Sequence, residues 1–342
     1  MKDSAYLLRL VHEAMMAMNL DVNAIYGQVG VTQKHVNGSQ ERFSHSATHQ
    51  FWKAAESVTG NTHIGLQVAK HLPPYRGQVL EYLFLSSPTF GDGLTRALNY
   101  QRLLSDVVQS YLDIDGQQAT FVLDTVLGRD LSRHYTVCIS YGVMQFFKTV
   151  TQGEFTLERM DFMFSADGYE HDYEAIFACP VRFNQANTAM VFNKNILDVK
   201  SDHAQPELVK LHEQLASEHV ARLEQQDLIN NVKKIIGELL DSQDVTLDAV
   251  SSRLGMSQRY LRSALAQAGT SFNQVLADYR SMLAKHLLLQ THESIEQIVF
   301  LTGFSEPSTF YRAFKRWTGQ TPIEFRQNGK ASCSQLAEVT VK

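Results

Sequence analysis

The sequence has few of the residues that mark secreted, metal-binding or membrane proteins. Its 3 cysteines, Cys138, Cys179 and Cys333, are widely separated, and no two have the spacing of paired metal ligands. Redox sensing by Cys138 or Cys179 would require a lowered thiol pKa. No apolar run approaches the roughly 18 residues of a membrane span, and Lys2 and Arg9 interrupt the apolar stretch that a signal peptide needs. The sequence therefore predicts a cytoplasmic protein with reduced thiols and no membrane partner.

A strong excess of charge of one sign is also lacking, because 31 Lys and Arg residues stand against 36 Asp and Glu, for a net charge of −5. Residues 228 to 330 hold 12 basic and 9 acidic residues, a net charge of +3, which leaves −8 for the rest. This excess is too modest to establish DNA binding by itself. The hydrophobic fraction of 44% is enough for packed cores and argues against disorder.

The signatures of common enzyme classes are missing as well. The chain has no Gly-x-Ser-x-Gly elbow, no Gly-x-Gly-x-x-Gly turn and no Walker-type phosphate loop. An enzyme fused to a DNA-binding domain would need a reactive centre within residues 1 to 200, and none stands out. Asp113 and Asp115 are better interpreted as polar positions of a hairpin. We therefore predict a non-enzyme with no catalytic residues and no cofactor.

The 13 histidines suggest a metal site only at first sight. His45 and His49 are four residues apart, and His212 and His219 are seven apart. A zinc site needs three or four ligands with supporting spacing, and no cysteine or carboxylate cluster joins either pair. The sequence predicts no metal site.

The first half of the chain alternates between helical and strand patterns. Residues 1 to about 110 are predicted to be mostly helical, with one helix over Phe90–Val107 after Ser87-Pro88. Asp115-Gly116 lies between two alternating stretches, which predicts a hairpin. Leu131–Val150 predicts a long buried helix. Further strands are predicted from Met160, Phe162 and Phe164, from Val181 and Phe183, and from Ala189, Val191 and Phe192. This mixture indicates an α+β sensing domain.

Pro206 opens a polar stretch of helical periodicity. Leucines recur on it at Leu208, Leu211, Leu215 and Leu223. The stretch is either an amphipathic helix packed on its own chain or a dimer or interdomain helix, and the pattern does not separate these two interpretations.

Two helix-turn-helix patterns follow, about 48 residues apart. In the first, a helix through Leu247 and Val250 is predicted to end at Gly255, and Ser257 caps the helix that follows. Leu261 and Leu265, four residues apart, must point into a core.

The second pattern repeats this arrangement. Ile298 and Val299 define a helix that ends at Gly303, and Glu306-Pro307 begin the next helix. Phe310 and Phe314 are predicted to hold that helix to a core. Between the two patterns, Ser271 caps a helix over 272 to 289, which spans roughly 27 Å. One turn of B-DNA is roughly 34 Å, so this rod would allow two insertions into adjacent major grooves.

The C-terminal hundred residues resemble the AraC/XylS family of transcription regulators. The matching residues are Leu254-Gly255-Met256-Ser257, Gly269-Thr270-Ser271-Phe272, Gly303-Phe304-Ser305-Glu306-Pro307-Ser308, the run from Phe310 through Arg312 to Gly319, Pro322 and Arg326. The resemblance implies that the second helix of each motif enters the major groove of promoter DNA. By position, Arg259, Arg262 and Ser263 are the expected readers in the first motif, and Ser308, Thr309 and Arg312 in the second. Lys315 and Arg316 are expected to contact phosphates.

The upstream region more loosely resembles the arabinose-binding-type N-terminal domain of some members of this family, over roughly residues 20 to 210. Leu85-Ser86-Ser87-Pro88-Thr89-Phe90-Gly91 and Cys179-Pro180-Val181-Arg182-Phe183 carry the resemblance. The resemblance implies effector binding or dimerisation. The name of the domain is historical and does not imply that the ligand is a sugar. Candidates for an apolar effector pocket are Tyr82, Phe84, Phe121, Phe162 and Phe164, although each also fits a plain core position.

The sequence thus predicts four segments. These are an α+β effector-binding or dimerisation domain at 1–205, a helical linker at 206–227, an all-α DNA-binding domain with two helix-turn-helix motifs at 228–330, and a flexible tail at 331–342. The expected function is ligand-responsive regulation of transcription, and activation is the commoner outcome in the family. The expected partners are double-stranded promoter DNA, RNA polymerase, a small-molecule effector and a second copy of the chain. The alternative is a DNA-binding regulator controlled by a partner protein.

Overall fold

The computed structural model of the protein describes residues 1–29, 42–126, 131–240 and 244–328. Cys333 and the tail predicted at 331–342 lie outside the described residues. The chain divides into two compact units, Met1–Val220 and Ala221–Lys342.

Helices occupy most of the first hundred residues, as the periodicity predicts. The helices are α1 (Ala5–Ala17), α2 (Val22–Val29), α3 (His45–Thr59), α4 (Ile64–Lys70), α5 (Val79–Ser86) and α6 (Phe90–Asn99). Ser4 caps α1 by accepting a hydrogen bond from the Tyr6 amide, and α3 ends where Gly60 adopts a left-handed φ of 64°. The short strands β1 (Lys2–Ser4) and β2 (Arg42–Ser44) pair antiparallel and bring the N-terminus against the domain.

A five-stranded sheet follows the helices. Its strands are β3 (Val108–Asp115), β4 (Gln118–Thr125), β5 (Arg159–Asp161), β6 (Val181–Arg182) and β7 (Ala189–Asn193). Their order is β3-β4-β7-β5-β6, with only the β5–β6 pair parallel. The predicted hairpin is present, because Asp115 pairs with Gln118 and Gly116 has a φ of 57°. The predicted α+β class is confirmed.

Two predicted elements are shorter than expected. The helix predicted over 90 to 107 stops at Asn99 and gives way to a 3₁₀ turn, where the Gln101 side chain hydrogen-bonds both backbone groups of Ser110 and so starts β3. The strand predicted through Phe164 ends at Asp161, because its partner β6 has only two residues and Asn184 adopts a left-handed φ of 58°. Phe162 and Phe164 still stack on each other, with ring centroids 4.8 Å apart.

Helix α7 (Arg133–Val150) confirms the long buried helix and packs closely on α4. A Cβ at Gly65 would lie 2.5 Å from the His134 Cα, so only glycine allows this crossing. The Gly65 amide donates to His134 Nδ1 at 3.2 Å, and His134 Nε2 donates to Glu56 at 2.7 Å. Burial lowers the pKa of His134. This neutral imidazole therefore joins three helices around the core of the first unit.

Helix α8 (Glu170–Phe177) precedes β6, and helix α9 (Pro206–Leu239) is continuous through the predicted boundary between 227 and 228. The second unit is helical. Its elements are α10 (Leu247–Arg253), α11 (Gln258–Gln267), α12 (Phe272–Gln290), α13 (Ile295–Leu301), α14 (Pro307–Thr318) and a last helical stretch at 322–328. Across the residues that the structure covers, no helix is both long and apolar enough to cross a membrane.

Candidate functional site

The first helix-turn-helix motif consists of α10 and α11. Gly255 makes the turn with a φ of 66°, and the Ser257 side chain accepts a hydrogen bond from the Tyr260 amide at 3.2 Å. Leu261 and Leu265 are completely buried, as their spacing predicts. One face of α11 is thereby fixed to the core, and the opposite face is left to solvent.

That solvent face carries the three residues predicted to read bases, because Arg259, Arg262 and Ser263 are all exposed. Tyr260 lies among them with 59% of its surface exposed. Tyr260 was not among the predicted base-reading residues, although an aromatic residue between two arginines on an outward face is a sequence signal for a contact residue. The exposed residues within the first six positions of α11 are therefore Arg259, Tyr260, Arg262 and Ser263.

The second motif consists of α13 and α14. Ser294 and Gln297 form a capping box at the start of α13, Gly303 makes the turn with a φ of 72°, and Pro307 occupies the first turn of α14. Its predicted core residues Phe310 and Phe314 are completely buried, and its predicted contact residues are all exposed: Ser308, Thr309, Arg312, Lys315 and Arg316.

Two arginines on the inner side of the second unit stabilise this arrangement. Arg280 of α12 donates to the Gly303 carbonyl at 2.8 Å and lies 4.8 Å from the centroid of the Phe304 ring. Arg326 donates to the carbonyls of Leu288 and Glu293, at 3.3 and 2.7 Å, and so satisfies the end of α12. The family-matching Arg326 thus has an evident structural contact, whereas Arg262 and Arg312 face outward.

The first unit contains a cavity of about 310 Å³ between the helices and the sheet. Residues from α1, α3, α5, α6 and α7, and from β3 and β4, line it, and most are aliphatic or aromatic. A second cavity of about 210 Å³ adjoins it and shares Val108, Leu123, Tyr135 and Ile139 with its lining. These volumes are at or below the lower end of the roughly 300–1,000 Å³ found for small-molecule sites.

A buried carboxylate lies in the wall of the larger cavity. Asp3 accepts hydrogen bonds from Ser105 (2.6 Å), Tyr135 (2.9 Å), His45 (2.8 Å) and Thr48 (3.3 Å). Burial acts to raise the pKa of Asp3, but these donors and the charge of His45 outweigh burial and lower it. The group is a satisfied carboxylate that joins strand β1 to helices α3 and α7.

The five aromatic residues predicted to line a pocket are not brought together. Phe84 and Phe121 line the larger cavity, and Phe164 lines the smaller one. Phe162 is fully buried among Tyr173, Phe177 and Phe183 and lines neither cavity. Tyr82 is 43% exposed and stacks on His212, because it lies on the opposite side of α5 from the cavity.

Two cysteines and two histidines named from the sequence are buried or have structural contacts. Burial raises the pKa of Cys138, and it raises the pKa of Cys179 to about 11, which does not favour a reactive thiolate. His45 contacts Asp3, and His212 contacts Ser86. Among the described residues, no group of three or more potential metal ligands comes together.

Comparison with known proteins agrees with this geometry. The model of the arabinose-binding domain of AraC transcription regulators matches residues 20–201, and a helix-turn-helix domain model matches residues 250–328. The ornithine utilization regulator of Pseudomonas aeruginosa is 26% identical over 313 residues, which is 89% of this chain and 90% of that protein. The regulator VqsM of the same species is 29% identical over 159 residues, 46% of this chain and 49% of that protein.

Among solved structures, the regulator CdpR of Pseudomonas aeruginosa is 21% identical, with a TM-score of 0.43, over 90% of this chain and 96% of that chain. An α+β domain of the ligand-binding type, followed along the chain by two helix-turn-helix motifs, defines a DNA-binding transcription regulator. The chain belongs to the AraC/XylS family, in the group with an arabinose-binding-type N-terminal domain.

Proposed function

We propose that the protein binds a promoter as a ligand-responsive activator, and that it acts through contact with RNA polymerase rather than as an enzyme. The observation that carries this proposal is the presence, in one chain, of an apolar cavity in the first unit and two outward-facing helices in the second. The effector, once bound, changes the placement or freedom of the two DNA-binding motifs.

Base reading is assigned to the exposed faces of α11 and α14. Arg259, Arg262 and Arg312 have the planar fork that contacts guanine bidentately. Ser263, Ser308 and Thr309 are small, tolerant contacts on the same faces. Lys315 and Arg316, in the last turn of α14, are assigned to phosphates, which position the protein without reading sequence.

Effector binding is assigned to the larger cavity, with Phe84 and Phe121 among its apolar walls. The domain limits proposed from the sequence are kept, with residues 206–227 as a linker helix between a sensing domain at 1–205 and a DNA-binding domain at 228–330. This assignment is supported by the fact that 206–227 lie within the single helix α9.

Dimerisation is assigned to the first part of α9. Val209 and Ala216 are buried and Glu213 pairs with Arg96 at 3.1 Å, so one face of the helix packs on its own domain. Another face exposes three leucines at spacings of three and four residues: Leu208, Leu211 and Leu215. This spacing is that of a helix–helix seam, and a second copy of the chain presents the same stripe.

The second candidate function is that of a DNA-binding regulator controlled by a partner protein, because the same leucine stripe could also pack against a helix of another protein. Thermal stabilisation by a small molecule would favour sensing. A stable complex with another protein, without any such stabilisation, would favour docking.

The experiment that tests the proposal is a genome-wide DNA pull-down with the purified full-length chain. We expect a few enriched promoters whose shared motif has two sub-sites about one helical turn apart. Enrichment no greater than that of non-specific DNA at physiological salt would overturn the proposal. Transcription in vitro from an enriched promoter then separates activation from repression.

A further inference from the structure

The lining of the larger cavity defines the chemistry that it can accept. Its walls are dominated by Leu, Val, Phe, Tyr and Trp side chains. Among the described lining residues none is Lys, Arg or His, and the single carboxylate is that of Asp3. A ligand with a negative charge would therefore find no countercharge in the wall, because the one charged lining group is the Asp3 carboxylate, which is already paired with His45.

Most of the polar groups in the wall already have partners. The two carboxylate oxygens of Asp3 accept four hydrogen bonds from neighbouring side chains. Gln101 is engaged by the backbone of Ser110, and the Ser4 hydroxyl caps α1. The cavity is therefore less polar in effect than its residue types suggest.

Only a small polar contribution remains for a ligand. Five side chains in the cavity wall carry polar groups that are not hydrogen-bonded to other described residues: Trp52, Tyr75, Ser110, Tyr141 and Gln145. None of them carries a charge, and they can satisfy a few polar atoms of a ligand. A sugar or an amino acid carries more hydrogen-bonding groups than that, and each one buried without a partner costs binding free energy.

We infer that the effector is an uncharged, mainly apolar molecule with few polar atoms, so that carboxylates, amino acids and sugars are rejected. This inference rests on the proposed sensing function and specifies its ligand class. A cavity of about 310 Å³ restricts the ligand further to a compact one.

The test uses the full-length protein and matched ligands. A neutral fluorescent probe, N-phenylnaphthylamine, is bound first and then displaced by decan-1-ol, decanoate, arabinose or ornithine. Decan-1-ol and decanoate have the same chain and differ in the charge of the head group. We expect decan-1-ol to displace the probe, and each of the other three compounds to be weaker by at least about tenfold.

A cavity-blocking variant locates the binding. Gly142 lies on α7 in the cavity wall, and a Cβ built there meets no atom within 4 Å. Gly142→Trp should fill the cavity and reduce probe and decan-1-ol binding by at least about tenfold, the factor that corresponds to 1.4 kcal/mol. Gly27→Trp is the matched control, because Gly27 is an exposed helical glycine with the same open space and lies outside the cavity lining.

Folding of Gly142→Trp is checked by circular dichroism, and Gly142→Leu provides a smaller blocking side chain. Promoter binding is measured on the same preparations, so failure of sensing and failure of DNA binding remain distinct. If arabinose, ornithine or decanoate displaces the probe as well as decan-1-ol does, and Gly142→Trp abolishes this, the ligand class is wrong while sensing stands. If the probe and decan-1-ol do not bind, or bind equally to the wild type and both blocking variants, the inferred ligand class and the sensing role are both overturned. Promoter recognition is judged separately, from the DNA-binding measurement.

Discussion

The first helix-turn-helix motif packs on aliphatic side chains, whereas the second packs on aromatic ones. The first core contains Val250, Leu261 and Leu265 together with Ile236 of α9 and Leu240, which directly follows α9. The second core groups its rings around α14, and they are Phe304, Phe310, Phe314, Trp317 and Phe325. The same helix–turn–helix geometry is thus reached with two different packing solutions.

The turns differ in the same way. A Cβ at Gly255 would meet open space, so the first turn is held by its own backbone and by the Ser257 cap. A Cβ at Gly303 would lie 2.6 Å from Leu240 and 3.1 Å from Arg280. The first turn is therefore held mainly by local interactions, whereas the second turn is also enclosed by Leu240 and by Arg280 of α12.

The largest expected difference comes from replacing the two turn glycines. Gly255→Ala should destabilise its motif by about 1–2 kcal/mol, because alanine must adopt a left-handed conformation. Gly303→Ala carries the same strain and also an overpacking cost, so we expect about 2–4 kcal/mol. Native-state hydrogen exchange of the amides of α11 and α14 reports each motif separately. Equal losses for both variants would contradict the distinction between an open and an enclosed turn.

The two motifs could be located from the sequence because their signals are local. Gly255, Ser257, Gly303 and Pro307 each act on neighbouring residues, and each takes the conformation that its residue type favours. The contacts of Arg280 join residues 23 or more positions apart. Such contacts depend on the tertiary arrangement, and no local sequence pattern indicates them.

The cavity was harder to predict for the same reason. Tyr82 and Phe84 are two residues apart on one helix, and two residues correspond to more than half a turn, so they face opposite sides. The sequence identified both as aromatic but not which one faces inward. The Asp3 network joins strand β1 to residues more than forty positions away, and its members are ordinary polar residues. Composition therefore predicted an apolar site without predicting its walls.

Removing Arg280 should affect the second motif far more than the first. Arg280→Met leaves the Gly303 carbonyl without its donor and the Phe304 ring without its cation, and we expect a loss of about 2 kcal/mol in α14. Arg280→Lys keeps the charge but not the planar group, so it should recover only part of this loss. Hydrogen exchange in α11 serves as the internal reference. A loss shared equally by α11 and α14 would show that Arg280 stabilises the whole domain rather than the second turn.

The two reading faces should differ in which half of the promoter they affect. Arg262→Ala and Arg312→Ala should each weaken specific binding by about 1–3 kcal/mol, since each removes a guanidinium from an outward face. Binding is measured on a promoter fragment and on versions with one sub-site scrambled. When one sub-site is scrambled, substitution of the arginine that reads it should no longer change binding. Substitution of the other arginine should weaken binding as it does on the intact promoter. Unchanged binding by both variants would refute the assignment of readers.

Lys315→Ala is the matched comparison for those arginines, because Lys315 is assigned to phosphate. Lys315→Ala should weaken binding to all DNA sequences about equally. It should also reduce the slope of the logarithm of the binding constant against the logarithm of the salt concentration by about one. If the effect of Lys315→Ala depended on the DNA sequence, Lys315 would have to be assigned to base reading instead of phosphate contact.

The smallest expected effect separates the starts of the two reading helices. Ser257 caps α11 through the Tyr260 amide, whereas Glu306 occupies the equivalent position of α14 without a side-chain capping bond. Ser257→Ala should therefore destabilise α11 by about 1 kcal/mol. Glu306→Ala should change α14 by less than about 0.5 kcal/mol, because this exposed carboxylate contributes only through the helix dipole and a long hydrogen bond of 3.4 Å from the Ser308 hydroxyl. Since α14 already begins with Pro307 and is held by buried rings, a larger loss for Glu306→Ala than for Ser257→Ala would mean that the second motif also depends on its local cap.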